Sequence, residues 1–86
     1  MTKSLVRAVK ACRQTRKHIA SGDLRQALAC YESAVRCHGI AESSNAPEWA
    51  HASRYWRACD LVWASVVFPT GQLLKRRLFE REGANA

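Results

Sequence analysis

Three tryptophans at seven-residue intervals constrain this chain more than any other feature. Trp49, Trp56 and Trp63 recur at that interval, and a set of smaller residues recurs at the same interval between them: Ala52, Cys59 and Val66. This alternation of large and small side chains is typical of the a and d positions of a helix seam. We therefore expect a helix with its tryptophan stripe at the centre of the core, broadened on one flank by Tyr55 and Val62.

The charge of the chain favours polyanionic partners. It carries a formal net charge of +7 over 86 residues, with fourteen Lys and Arg against seven Asp and Glu, and its pI is about 9.8. A chain of this length forms one domain with one modest core. A basic surface on such a domain attracts nucleic acid, an acidic protein or an anionic membrane surface.

The first helix is expected over residues 4–20, and its polar face is basic. Leu5, Val9 and Cys12 gather on one side of a helical projection, and cations gather on the other. No acidic residue occurs in the first 22 positions, so no ion pair within this segment neutralises those cations. The face is either a solvated surface or a binding surface.

A second helix is expected from Asp23 to Gly39. Asp23 is placed to accept a hydrogen bond from the backbone amide of Gln26, and Gly39 has the residue type of a helix C-terminus. Between them the apolar positions show the clearest helical periodicity in the chain: Leu24, Ala27, Leu28, Tyr31, Ala34, Val35 and His38.

This stretch resembles the second half of a tetratricopeptide repeat, through its Gly-Asp turn, its Ala-Leu pair and its following aromatic and alanine. The resemblance covers residues 11–39. The first half differs from the family pattern, having Ala11, Gln14, Thr15 and His18. The resemblance therefore implies only hairpin geometry, two antiparallel helices of a protein-binding scaffold.

The rest of the chain predicts a loop at residues 40–46, a third helix beginning near Pro47, and a short C-terminal helix. Pro69 is expected to end the third helix at Phe68, and Thr70 to cap the helix that follows. The predicted fold is all-α, a small bundle of three main helices plus the short C-terminal helix. It forms a single domain over residues 1–82, with a frayed tail at 83–86.

Cysteines and other reactive residues do not form a recognisable reaction centre. The four cysteines are Cys12, Cys30, Cys37 and Cys59, and the N-terminal sequence lacks the apolar core of a secretion signal, so we expect free thiols in the cytoplasm. No pair has the spacing of a zinc site, the carboxylates are scattered, and the glycines form no phosphate loop. We expect no bound metal, no cofactor and no catalytic activity.

Two functional hypotheses follow. The first is a small accessory protein that docks on nucleic acid, or on a nucleic-acid-handling complex, through a set of basic residues: Lys3, Arg7, Lys10, Arg13, Lys17, Lys75, Arg76 and Arg77. The second is a protein–protein adaptor, regulator or inhibitor, or a homodimer, that uses an aromatic surface: Trp49, Tyr55, Trp56 and Trp63. A peripheral membrane helix is a weaker third, because the first helix has no Trp or Phe, and no segment is expected to span a bilayer.

Overall fold

The computed structural model describes residues 3–43 and 49–84, and the side-chain surroundings of residues 3–43 and 54–82. In this part the chain is all-α, as predicted, and contains no strand. Its elements are α1 (Lys3–Ala20), α2 (Leu24–Ser43), α3 (Trp49–Val62), a π-helical turn (Trp63–Val67) and α4 (Phe68–Ala84). The last three follow one another without a break, and we call them together the long helix. None of these helices is both long enough and apolar enough to cross a bilayer.

The turn between α1 and α2 is set by local sequence. Gly22 has a φ of 82°, in the left-handed region that glycine adopts most readily. The Asp23 amide donates to the His18 carbonyl at 2.9 Å and the Gly22 amide donates to the Ile19 carbonyl at 3.1 Å, which is the Schellman pattern. Asp23 Oδ1 accepts from the Gln26 amide at 3.2 Å. The predicted break and the predicted cap are confirmed.

The helix α2 continues past Gly39, so the predicted end at that residue is wrong. Gly39 lies inside the helix without a positive φ, and its carbonyl accepts a hydrogen bond from Ser43 Oγ at 2.8 Å. Ala41 is fully buried and extends the row formed by Ala27 and Ala34 at seven-residue spacing. Burial of this next residue of the row favours another helical turn over a C-terminal cap. The predicted loop is therefore helical through Ser43, and residues 44–48 lie outside the described residues.

The long helix also passes through Pro69, where the sequence predicted its end. Proline has no amide hydrogen, and its ring collides with the carbonyl four residues earlier in an α-helix. The π-helical turn directly before it changes this register, because the Phe68 amide donates to the Trp63 carbonyl, five residues back. Thr70 consequently lies fully buried within the long helix rather than capping a new one. Gly83 and Ala84 belong to α4, and Asn85 and Ala86 lie outside the described residues.

The π-helical turn determines which face of the long helix is buried. The buried positions are spaced by three or four residues on either side of the turn and by five across it: Cys59, Val62, Val67, Thr70 and Leu74. The extra residue rotates the buried stripe around the helix, so that α3 and α4 both face the α1–α2 hairpin.

The tryptophan seam predicted from the sequence is not the core. Trp56 is 48% exposed and Trp63 is 39% exposed, whereas Val62, expected on the flank, is 5% exposed. Tyr55, also expected on the outer flank, packs against the core, and its hydroxyl donates to the Ala41 carbonyl. The physical reason is size, because the facing residues Cys12, Ala34 and Ala41 allow close helix approach that three stacked indoles would prevent. The side chain of Trp49 lies outside the described residues.

Tyr31 joins the hairpin to the long helix. Its ring packs against both groups of buried residues, one containing Leu5 and Val67 and the other containing Leu24 and Leu74. Its hydroxyl donates to the Val67 carbonyl at 3.2 Å. This approach requires glycine at position 71, because a Cβ there would lie 2.2 Å from the Tyr31 hydroxyl oxygen.

Two glycine-to-alanine exchanges test these corrections. Gly39→Ala should raise the free energy of unfolding by about 0.5–1 kcal/mol, because the site is helical and no atom lies within 4 Å of the added Cβ.

Gly71→Ala should lower the free energy of unfolding by about 1–3 kcal/mol, because the Tyr31 ring must move and its hydrogen bond to the Val67 carbonyl must break. Urea denaturation of both variants measures the difference. Destabilisation by Gly39→Ala would restore the predicted helix end, and a neutral Gly71→Ala would contradict the close crossing.

Candidate functional site

One face of α1 presents an unneutralised row of cations. Five exposed residues form it, and we call them the α1 basic face: Lys3, Arg7, Lys10, Arg13 and Lys17. The opposite side of the helix is buried through Leu5, Ala8, Cys12 and Thr15, so the packing of the hairpin fixes which side faces water. In the described part of the chain, none of the five cations forms an ion pair. Their charge is available to an anionic partner.

The three predicted cations of α4 do not lie together. Arg77 lines a cleft beside α1, whereas Lys75 lines a groove on the α2 side of the same helix. Arg76 lies between these two surfaces and lines a smaller groove together with Lys75, Phe79 and Glu80. Only Arg77 therefore lies beside a cation of α1, and the candidate basic surface is smaller at this end than the sequence predicted.

The cleft beside α1 holds two arginines that sequence reasoning did not select. It has a volume of about 720 Å³, and Arg16, Arg77 and Arg81 line it together with Glu80. We call it the arginine cleft. Arg16 Nε donates to the Thr70 hydroxyl at 3.1 Å, which leaves the terminal nitrogens of the guanidinium for other partners. Arg77 contacts Glu80 at 3.5 Å in an exposed pair.

The floor of the arginine cleft is aliphatic, formed by Ile19, Leu24 and Leu73. It therefore offers guanidinium groups to an anion but no aromatic surface on which a base would stack. Sequence alone could have found Arg16 only as one of the α1 cations. Its contact with Thr70 spans 54 positions, and Thr70 was expected at a helix cap.

His38 is a buried polar residue that links α2 to α3. It is 3% exposed, its Nε2 lies 2.9 Å from the Cys59 carbonyl oxygen, and its Nδ1 lies 3.1 Å from Glu42 Oε1. The ring also contacts that of Trp63, with centroids 5.2 Å apart. Because both nitrogens contact oxygens of the protein, the imidazole is fully occupied by structural contacts.

The cysteines are unpaired and divide into two pairs by burial. Cys12 and Cys59 are 1% exposed, while Cys30 and Cys37 are partly exposed. Burial raises the pKa of the Cys12 thiol, against the opposing effects of a Thr70 hydrogen bond and the Arg16 charge. Burial also raises the pKa of the Cys59 thiol, and the carboxylates of Glu42 and Asp60 act in the same direction. Among the residues whose positions are described, no three potential metal ligands come together.

The predicted aromatic surface is only partly on the outside. Trp56 and Trp63 are half-exposed, whereas Tyr55 packs inward. No known protein family matches this chain, and no curated protein and no solved structure is significantly similar to it. The tetratricopeptide resemblance of the α1–α2 hairpin therefore stays a prediction.

Alkylation of the native protein tests the division of the thiols. Cys30 and Cys37 should react with iodoacetamide at neutral pH, while Cys12 and Cys59 should react only when the chain unfolds, because they are buried and their raised pKa values keep them protonated. A raised pKa in the folded state stabilises the fold below the unfolded value of about 9, and this contribution is lost as the pH rises through the folded pKa. Mass spectrometry at several pH values identifies the modified residues.

A chelator provides the control for this measurement. If the thiols are packing residues, metal removal should leave the helical circular dichroism unchanged. Equal reaction of all four cysteines in the native protein, or loss of helicity with the chelator, would contradict this assignment.

Proposed function

We propose that this protein is a small, non-catalytic basic accessory protein that docks on nucleic acid, or on a nucleic-acid-handling complex, through the α1 basic face. The observation that supports the proposal is the set of five exposed cations without an ion pair in the described residues. Such a row attracts a polyanion by charge and by release of its counterions. The free thiols of the four cysteines support a reducing compartment such as the cytoplasm.

The length of the α1 basic face matches a short stretch of duplex. From Lys3 to Lys17 a helix rises about 21 Å, at ~1.5 Å per residue. That distance corresponds to roughly six base-pair steps at ~3.4 Å per step. The proposed contacts are with phosphates, so the binding is strongly salt-dependent and has little sequence preference.

The arginine cleft extends the proposed surface at one end. Arg16 is held by Thr70, and an arginine positioned in this way offers its two terminal nitrogens to one phosphate. Arg77 and Arg81 add charge on the other side of the cleft, so a phosphate chain that leaves α1 near Lys17 meets further cations. This arrangement supports docking on an extended polyanion.

A protein–protein adaptor is the second candidate function. It is favoured by the partial exposure of Trp56 on α3 and of Trp63 in the π-helical turn, because large apolar side chains on a surface are typical of binding sites. The tetratricopeptide-like hairpin supports the same adaptor hypothesis. A partner bound there would contact α3 and would not require the α1 cations.

Reversing three cations of α1 tests the primary proposal. Arg7→Glu, Lys10→Glu and Lys17→Glu together should abolish binding to a duplex and to a single strand, because the three side chains are exposed and lose their phosphate contacts. Charge reversal at exposed positions should leave the melting temperature nearly unchanged. The slope of log affinity against log salt should fall by about 2–3 for the variant wherever residual binding is measurable.

A control variant distinguishes the loss of the α1 cations from a change in the net charge of the protein. Arg25→Glu, Arg36→Glu and Arg57→Glu change the same total charge at exposed sites of α2 and α3 and should retain most of the binding. Negligible affinity of the parent for both nucleic acids at low salt would eliminate direct binding. A pull-down that survives nuclease treatment and requires Trp56 and Trp63 would favour the adaptor instead.

A further inference from the structure

A second surface, on the α2 side of α4, carries exposed apolar residues together with two charged ones. Phe79 is 75% exposed and Phe68 is 49% exposed, and Leu78 is partly exposed beside them. Lys75 and Glu82 follow Phe68 at intervals of seven residues and lie on the same side of the helix. We call these five residues the α4 apolar face.

A groove runs along this face where α4 meets α2. It has a volume of about 320 Å³, and its walls include Leu28 and Tyr31 of α2 with Leu74 and Leu78 of α4. Gly71 also lines the groove, where the Tyr31 side chain occupies the space that a Cβ at this position would take. Leu28 and Val35 are 41% and 38% exposed, so the apolar surface continues onto α2.

The charges on the groove have opposite signs and are separated along the helix. Lys75 and Glu82 are the charged residues that line it, and neither forms an ion pair with a described residue. Seven residues of helix place them about 10 Å apart, too far to pair with each other. Arg77 and Arg81 line the arginine cleft instead.

We propose that the part of the α4 apolar face from Lys75 to Glu82 binds a second copy of this chain, with the two α4 helices antiparallel about a two-fold axis. In this arrangement Lys75 of each copy lies opposite Glu82 of the other, so both ion pairs form by symmetry. The axis then falls between Leu78 and Phe79, whose side chains pack across it. A two-fold interface requires a self-complementary surface, and the order of these charges supplies one.

The charges of Lys75 and Glu82 disfavour binding of a uniformly charged helix to the α4 apolar face. A uniformly acidic helix would be attracted to Lys75 and repelled by Glu82, and a uniformly basic helix would meet the reverse. A second copy in the antiparallel orientation places its Glu82 opposite Lys75 and its Lys75 opposite Glu82. The proposal does not rest on nucleic-acid binding, because the α1 basic face takes no part in the α4 contact.

Charge-exchange variants test the dimer and its register. Analytical ultracentrifugation should show a dimer for the parent, and Lys75→Glu or Glu82→Lys alone should weaken it by at least tenfold, because each creates two like-charge pairs. An equimolar mixture of the two single variants should recover a mixed dimer, since one copy then carries two glutamates and the other two lysines. The double variant K75E/E82K should also dimerise like the parent.

Circular dichroism melting should show that all the variants remain folded, since both sites are exposed. A parent that stays monomeric at about 100 μM, where an interface with a micromolar Kd is almost fully formed, would overturn the proposal. Single variants that dimerise as well as the parent, or a mixture that fails to recover, would equally overturn it. Duplex binding by the single variants reports on the proposed function separately.

Discussion

The continuity of the long helix across Pro69 is the constraint on which the rest of the structure depends. An α-helical register would bring the proline ring against the Ser65 carbonyl, and the π-helical turn from Trp63 to Val67 changes that register just before it. The added residue turns the buried stripe toward the hairpin on both sides. Without this rotation, Val67, five residues after Val62, would lie about 140° away from it around an α-helix, and the two would not share one buried face.

The helices approach closely because small residues line most of their contact and one tyrosine spans the rest. Ala34, Ala41 and Cys12 keep the hairpin near the long helix, and Tyr31 spans the remaining distance over Gly71. The tryptophans are too large for this interior and remain at its edge, where Trp63 lies against the ring of His38. The chain thus buries few large side chains and leaves many apolar residues at the surface.

Two surfaces of different chemistry result from this packing. The α1 basic face and the arginine cleft are lined by cations, and the α4 apolar face lies on the opposite side of α4 from that cleft. Joining two copies through α4 would leave both α1 basic faces open to one polyanion. Simultaneous engagement of both faces would raise the avidity for a long nucleic acid without any new type of contact.

Local sequence determined the all-α class, the bounds of α1, the turn at Gly22 and the cap at Asp23, because each depends on residues only a few positions apart. It also identified the α1 basic face, since a run of cations without acids needs no tertiary partner. Only the tertiary structure decided that Gly39 and Pro69 lie inside helices, because burial of Ala41 and the π-helical turn outweigh their local preferences. It likewise selected Val62 over Trp56 for the core and placed Arg16 beside Thr70. Those outcomes depend on how closely three helices approach, which heptad spacing alone does not encode.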